Sequence, residues 1–316
     1  MNNIGTAPAT PPATSPGNRP GNRPGTLTVG QVVDAVEHLY PPQLAESWDA
    51  CGLVCGDPAD PVRKLLVAVD CTDEVVEAAV SARADFLLVH HPPLLRGVTG
   101  VPVTHPKGRL VHRLIRQGVA LYAAHTSADA ARPGVADRLA ELLGVTPGAP
   151  LTPVPDGVDP ETATGIGRVG ALDTPMTLQE FTDRVAARLP ATVWGVRAAG
   201  DPDRVVRRVA VAPGAGDSFL GTVAEMDVDC YVTSDLRHHP VDEHLRAGGC
   251  AVVDTAHWAS EFPWCRSAAD LLAAELPGLD TGVIDLRTDP WTLHRSSPGT
   301  GGRGEGDGQG DGHREF

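Results

Sequence analysis

The sequence predicts an α/β protein. Apolar-rich runs at residues 64–70, 86–89, 119–124, 229–233 and 250–254 have the character of strands covered on both faces. The segments between them carry apolar residues at helical spacing, several opened by a threonine in a capping position. Strand and helix alternate along the whole chain, which favours sheets flanked by helices over an all-α or all-β architecture.

The elements follow in order. Val29, Val32, Val33, Val36 and Leu39 mark a first helix capped by Thr28, and Pro41-Pro42 stops it. Residues 48–56 read as a turn entering a strand. The strand at 64–70, a helix capped by Thr72 and the strand at 86–89 form a βαβ unit, parallel by default. A helix at 107–117, a strand at 119–124 and a helix at 135–143 come next. The Pro/Gly-rich stretch 144–161 reads as a connection to a second module. There, 168–172 and 205–212 are expected strands, and 177–189 is a helix with Thr177 and Glu180 spaced for a capping box. A strand at 229–233, a helix at 241–247, a strand at 250–254 and a helix at 264–276 close the fold.

Composition narrows the function. The 316 residues carry a net charge of −14, and no Lys/Arg cluster reaches nucleic-acid or membrane density, so long nucleic acids are not expected as partners. No apolar run approaches the roughly 18 residues of a membrane span, and no secretory signal is visible, which points to the cytoplasm. Cys51, Cys55, Cys71, Cys230, Cys250 and Cys265 read as reduced thiols, and Cys51-x3-Cys55 lacks the partners of a zinc finger.

Chemistry concentrates at three strand ends. His90-His91-Pro92-Pro93 follows the run 86–89, His125-Thr126-Ser127-Ala128-Asp129 follows 119–124, and His257-x3-Glu261 follows 250–254. A lone histidine in such a place is usually a packed structural residue. Three strand ends delivering His90, His91, Asp129, His257 and Glu261 together instead suggest a site for Zn, Fe, Mn or Ni. Neighbouring imidazoles can address two metals, or one metal and a substrate, and a carboxylate between two cations would offset their repulsion. Glu261, and then Asp129, suit that position. His125 and Asp70 are candidates for orienting ligands from behind. His238-His239-Pro240 lacks a matching carboxylate cluster and reads as substrate-facing or interfacial, with Asp242 and Glu243 as charges near a helix N-terminus. Gly165-x-Gly167-x-x-Gly170 matches a dinucleotide fingerprint in letters only. The turn 213–217 is either a tight strand-to-helix turn or a row of amides facing an anion.

Jointly, several pieces resemble the NIF3-like family of dinuclear metal-centre hexameric proteins, often called GTP cyclohydrolase 1 type 2 homologues. They are Trp48-Asp49 with Gly52-Leu53 and Gly56, Val69-Asp70, His90-His91-Pro92, Lys107-Gly108-Arg109, Ala124-His125-Thr126 with Asp129, Gly167-Arg168-Val169-Gly170, Gly214-Ala215-Gly216, Thr233 with Asp235, and His257 with Glu261. The resemblance implies a NIF3-like fold of two interleaved α/β domains with mixed sheets flanked by helices. It also implies a toroidal homohexamer with metal pairs facing an internal cavity, and His90, His91, Asp129, His257 and Glu261 as ligands. Ala50 and Pro213 depart from the usual Asn and Gly.

The expected organisation is a disordered tail at 1–25, a metal-binding α/β domain from 26–131 and 250–292, a second α/β domain at 132–249, and a disordered tail at 293–316. The expected function is a metal-dependent hydrolase of cyclohydrolase or phosphoesterase type. It would hold two divalent ions per subunit (Zn, Fe or Mn), use Glu261 as a catalytic residue and act on a small nucleotide-like substrate. Two alternatives are a non-catalytic metal-binding regulatory or metal-handling scaffold, and a single structural zinc site.

Overall fold

The computed structural model describes residues 26–154 and 163–295; the expected N-terminal tail and nearly all of the expected C-terminal one lie outside them. Leu27–Thr28 (β1) runs into helix Val29–Leu39 (α1), with Thr28 and Gln31 forming a capping box. Gly52–Cys55 (β2), Pro61–Val62 (β3, paired with β1) and Lys64–Ala68 (β4) precede Asp73–Ser81 (α2), whose cap is Thr72. Phe86–Val89 (β5), Pro106–Gln117 (α3), Ala120–Ala123 (β6), Thr126–Ala130 (α4) and Val135–Leu143 (α5) follow. Next come Val145–Pro147 (β7), Thr152–Pro153 (β8), Gly165–Ile166 (β9), Arg168–Thr177 (β10), Leu178–Arg188 (α6), Val196–Ala199 (β11) and Val205–Ala215 (β12). The chain continues through Leu220–Ala224 (α7), Cys230–Ser234 (β13), His238–Arg246 (α8), Ala251–Thr255 (β14), His257–Glu275 (α9) and Asp280–Val283 (β15).

Two mixed sheets result. A five-stranded sheet has the order β15-β4-β5-β6-β2, parallel except for β2. A six-stranded sheet has the order β11-β14-β13-β12-β10-β7, with β12, β13 and β14 parallel and the flanking strands antiparallel. Strand side chains alternate between faces, and the alternation sorts the apolar runs into separate cores. Leu65, Val67, Phe86, Leu88 and Tyr122 face one shared core, which Val209, Val211, Val232 and Val253 enter from the other sheet. That core holds α1, α5, α6 and α9 between the sheets. Leu66, Ala68, Leu87, Val89 and Leu121 point the other way, onto α2 and α3. Ala210, Ala212, Tyr231 and Val252 do the same on the far face of the six-stranded sheet, near α7. This double coverage is why the strands read as continuous apolar runs.

Several boundaries differ from expectation. The stretch read as a connection contains β7, an edge strand paired with β10. β11 and β15 are edge strands too short and too polar to announce themselves. Helix α9 starts at His257, not 264, and contains Pro263. A proline costs a helix interior about 3 kcal/mol, but Trp258, Ala259, Trp264 and Cys265 are all buried around it and burial of this size outweighs the loss. Helix α8 starts at His238, so Asp242 lies beyond the first turn and pairs with Arg246 at 2.9 Å. Strand β14, placed by sequence with the first domain, pairs in the six-stranded sheet; the chain rejoins the five-stranded sheet at β15.

Candidate metal centre

The carboxyl ends of β5, β6, β12, β13 and β14 converge where the two sheets meet the N-terminus of α9. His90 keeps the facing of Phe86 and Leu88 and points into the shared core, fully buried beside Trp264 with ring centroids 5.3 Å apart. On a strand, His91 would face the opposite side. The chain leaves the sheet there, and the two imidazoles instead lie 5.1 Å apart. Asp129 comes from α4, directly after β6. His257 opens α9, and Glu261 follows one turn later on the same face.

All five candidate ligands meet. Glu261 Oε1 lies 3.0 Å from His257 Nε2 and 3.6 Å from His90 Nε2, and its Oε2 lies 3.1 Å from His91 Nε2. Asp129 Oδ1 is 3.6 Å from His90 Nε2. The Nε2 atoms of His91 and His257 face each other at 3.3 Å. Glu261 therefore stands between the imidazoles, with its side chain 4% exposed. Two groupings have the compactness of a metal-holding set: His91 with His257 and Glu261, and His90 with His91 and His125.

The opposite ring nitrogens explain why these atoms face inward. His90 Nδ1 bonds the Ala124 carbonyl at 2.9 Å, His91 Nδ1 bonds Asp70 at 2.7 Å, and His257 Nδ1 bonds Asp235 at 2.6 Å. Carbonyls and carboxylates only accept, so each Nδ1 carries a proton, and each Nε2 turns a lone pair to the centre once its imidazole is neutral. Two such lone pairs at 3.3 Å repel unless a cation or a proton lies between them. Among the described residues, the buried His90 Nε2, Asp129 Oδ1 and Glu261 Oε2 have no hydrogen-bond partner. Glu261 Oε2 is close to His91 yet lacks hydrogen-bond alignment there. Buried polar atoms rarely stay unpartnered, and these belong to one cluster whose donor set suits a divalent transition metal.

The charges say the same. Burial pushes His91 down, but Glu261 and Asp70 override it and hold the imidazole well above its usual value. His257 is raised to about 10, with Glu261 and Asp235 overcoming burial. Burial would raise Glu261, but His91, His257 and His90 keep it well below the usual carboxylate range. Asp129 is raised by burial. The cluster is a field that demands positive charge.

His125 completes one wall. Its Nδ1 bonds the buried Asp49 at 2.8 Å, and Trp48 meets its ring edge-on at 5.9 Å. Asp70 takes the orienting role expected of it. Asp235, Asp49 and Gly214 carry roles that sequence reasoning did not assign. Asp235 holds a left-handed backbone (φ 57°), a strained conformation for a residue with a side chain, and from it reaches His257. Gly214 has φ +72°, and a Cβ there would lie 2.5 Å from Glu261 Oε1. Its amide donates to Ser260 Oγ at 2.9 Å, and the Gly216 amide donates to the Ser234 carbonyl at 3.3 Å. The turn is thus a tight support for Glu261, and those two amides do not face an anion. His238 and His239 lie exposed at the start of α8, apart from this cluster. No disulfide links the six cysteines.

A cavity of about 480 Å³ opens on Asp129, Glu261, His257 and His125, with Trp48 and Phe219 among its walls.

The family model of DUF34/NIF3 (NGG1p interacting factor 3) matches residues 27–290. The chain belongs to the DUF34/NIF3 family. A Streptomyces coelicolor relative named GTP cyclohydrolase 1 type 2 homolog is 47% identical over 280 residues, covering 86% of this chain and 96% of the relative. A Mycobacterium tuberculosis relative of the same name is 39% identical, covering 85% and 97%. In shape, the chain is similar to a Bacillus cereus protein related to NIF3 (TM-score 0.75, 22% identity, 84% and 99% covered). A Staphylococcus aureus hypothetical protein matches comparably (TM-score 0.76, 24% identity, 85% and 100% covered). The NIF3 fold is therefore the one described above, with mixed sheets flanked by helices. No helix among the described residues is long and apolar enough to cross a membrane.

Proposed function

We propose that this DUF34/NIF3 protein is a metal-dependent hydrolase of small nucleotide-like substrates, working at a pair of divalent cations (Zn, Fe or Mn) held by His90, His91, Asp129, His257 and Glu261. The observation that carries the reading is the set of inward-facing Nε2 lone pairs and unpartnered carboxylate oxygens, each imidazole fixed from behind by an acceptor. When bound, such a pair supplies hydroxide near neutral pH and stabilises charge at the centre under attack. The chain's own residues do the rest. Glu261 contributes both carboxylate oxygens from one buried side chain. Asp70 and Asp235 lock the tautomers of His91 and His257. His125, oriented by Asp49, stands at the cavity wall where a substrate would enter. Trp48 and Phe219 line the same cavity. The name shared by the relatives fits a nucleotide-like substrate. Assembly into a homohexamer, which would enclose the sites, is part of the same proposal.

The test is elemental analysis together with turnover. Native protein is expected to carry close to two metals per chain and to turn over a member of a nucleotide and phosphoester panel, with Glu261→Gln abolishing turnover. A single metal per chain that survives His91→Ala and His257→Ala would overturn the dinuclear reading. Readily exchanging metal with no turnover would favour a metal-handling scaffold.

A further inference from the structure

A second cavity, of about 650 Å³, lies against the metal cluster and shares His257 as a wall with the first. His91, Asp70 and Asp235 of the cluster form its inner side, and its outer side is built from parts the metal centre does not use. Trp194 comes from the segment between α6 and β11, Arg197 from β11, and Trp291 from the segment after β15. The two indoles lie side by side, centroids 5.8 Å apart and inclined by 31°. The Arg197 guanidinium sits 4.8 Å over the Trp194 ring. Arg197 is held there: its Nε donates to the buried Asp254 at 2.7 Å and its Nη2 to the Leu236 carbonyl at 3.1 Å. These bonds leave Nη1 for an oxygen of a ligand.

Trp194 packs in part against the shared core, and the outer side of the stack is open. Trp291 is 56% exposed, and the Arg197 side chain is 58% exposed. Exposed indole and guanidinium planes normally contribute little to stability, yet they are the standard surface for stacking a flat ring. Asp70, Asp235 and Asp289 line the cavity beside the indoles, so it offers polar partners at the rim of an aromatic wall. Two of those carboxylates are already engaged by His91 and His257, so they hold the wall and do not demand a cation of their own.

We propose that this cavity binds the flat heteroaromatic ring of a nucleotide-like ligand, stacked on Trp194 and Trp291, with an oxygen substituent on Arg197. The choice of a nucleotide rests on the hydrolase reading; the ring site itself rests on the aromatic and guanidinium geometry. It would place the ring beside His257, at the edge of the metal cluster.

Intrinsic tryptophan fluorescence of the full chain, metal-loaded and chelator-treated, tests this with GMP, AMP and ribose phosphate. GMP or AMP should quench saturably in both preparations and ribose phosphate should not. Trp194→Ala and Trp291→Ala should each weaken binding by about tenfold or more, the scale of one lost base–aromatic stack. Arg197→Gln should weaken it as well, and Trp194→Phe should recover part of the loss. Metal content equal to the parent's shows that each variant is folded. Equal binding of ribose phosphate, or a quench lost in Trp48→Ala but kept in Trp194→Ala, would overturn the proposal, the latter by placing the ring in the other cavity. Quenching without turnover of any nucleotide would sink the hydrolase reading and leave this site standing. Turnover with KM unchanged in Trp194→Ala and Trp291→Ala would do the reverse.

Discussion

Glu261 shows how one side chain can depend on three others. Its carboxylate is buried among imidazoles that keep it ionised, and it keeps them basic in return. This coupling gives a pH prediction. His257 in the metal-free protein is raised to about 10, so its protonated form stabilises the fold. That contribution is fully present below the unfolded value of about 6.5 and is lost as pH rises through the folded one. Chelator-treated protein should therefore lose melting temperature between neutral pH and about pH 10, whereas metal-loaded protein, whose ligands have already shed their protons, should not. Metal affinity itself should fall as pH is lowered, because protons compete for the same lone pairs. Equal pH profiles with and without metal would contradict the shared site. The five proposed ligands are legible as residue types because each follows a strand, and so is Asp70 behind His91, but the partners of His257 and His125 are not. Asp235 and Asp49 are common residues in turns, and only their contacts with His257 and His125 give them a role.

At the scale of elements, the turn after β12 and the start of α9 work as a unit. Gly214 approaches Glu261 closely and holds φ +72°. Gly214→Ala should cost about 1–2 kcal/mol from the left-handed backbone alone. It should also lower metal occupancy more than its loss of stability explains, because the new methyl displaces Glu261. Melting curves and metal content measured together check this, and unchanged occupancy would refute it. By contrast, the capping box of α6 is remote from the site. Thr177→Ala should remove about 1 kcal/mol of stability with metal content intact. Caps and long apolar helices were readable from sequence, since the signal is local. The true start of α9 was not, because Pro263 looks like a helix beginning unless the burial on both sides of it is known.

At the scale of the whole molecule, one buried ion pair fixes the six-stranded sheet to the helix packed on it. Arg168, fully buried, donates to both oxygens of Asp137 at 2.8 Å and also to the carbonyls of Gly165, Gly167 and Ala131. It so links the six-stranded sheet to α5 and to the end of α4, the helix that carries Asp129. Arg168→Ala leaves the Asp137 carboxylate unpaired and should destabilise the protein by about 3–5 kcal/mol in chemical denaturation. A loss below about 1 kcal/mol, the scale of an exposed pair, would show that water reaches the site. The proposed hexamer belongs to this scale too, and light scattering should give a mass about six times the 33.0 kDa of the chain.

By itself the sequence determined the local grammar: the capped helices, the doubly covered strands, and imidazoles and carboxylates at strand ends. These depend on neighbours along the chain and on the alternation of side chains. Only the tertiary structure decided which strand joins which sheet, where α9 begins, and that Gly214, Asp235 and Asp49 serve the cluster. Those depend on distances between residues such as His91 and His257, which lie far apart along the chain yet meet at 3.3 Å. No local pattern encodes a contact of that kind; it exists only once the two sheets have closed on their shared core.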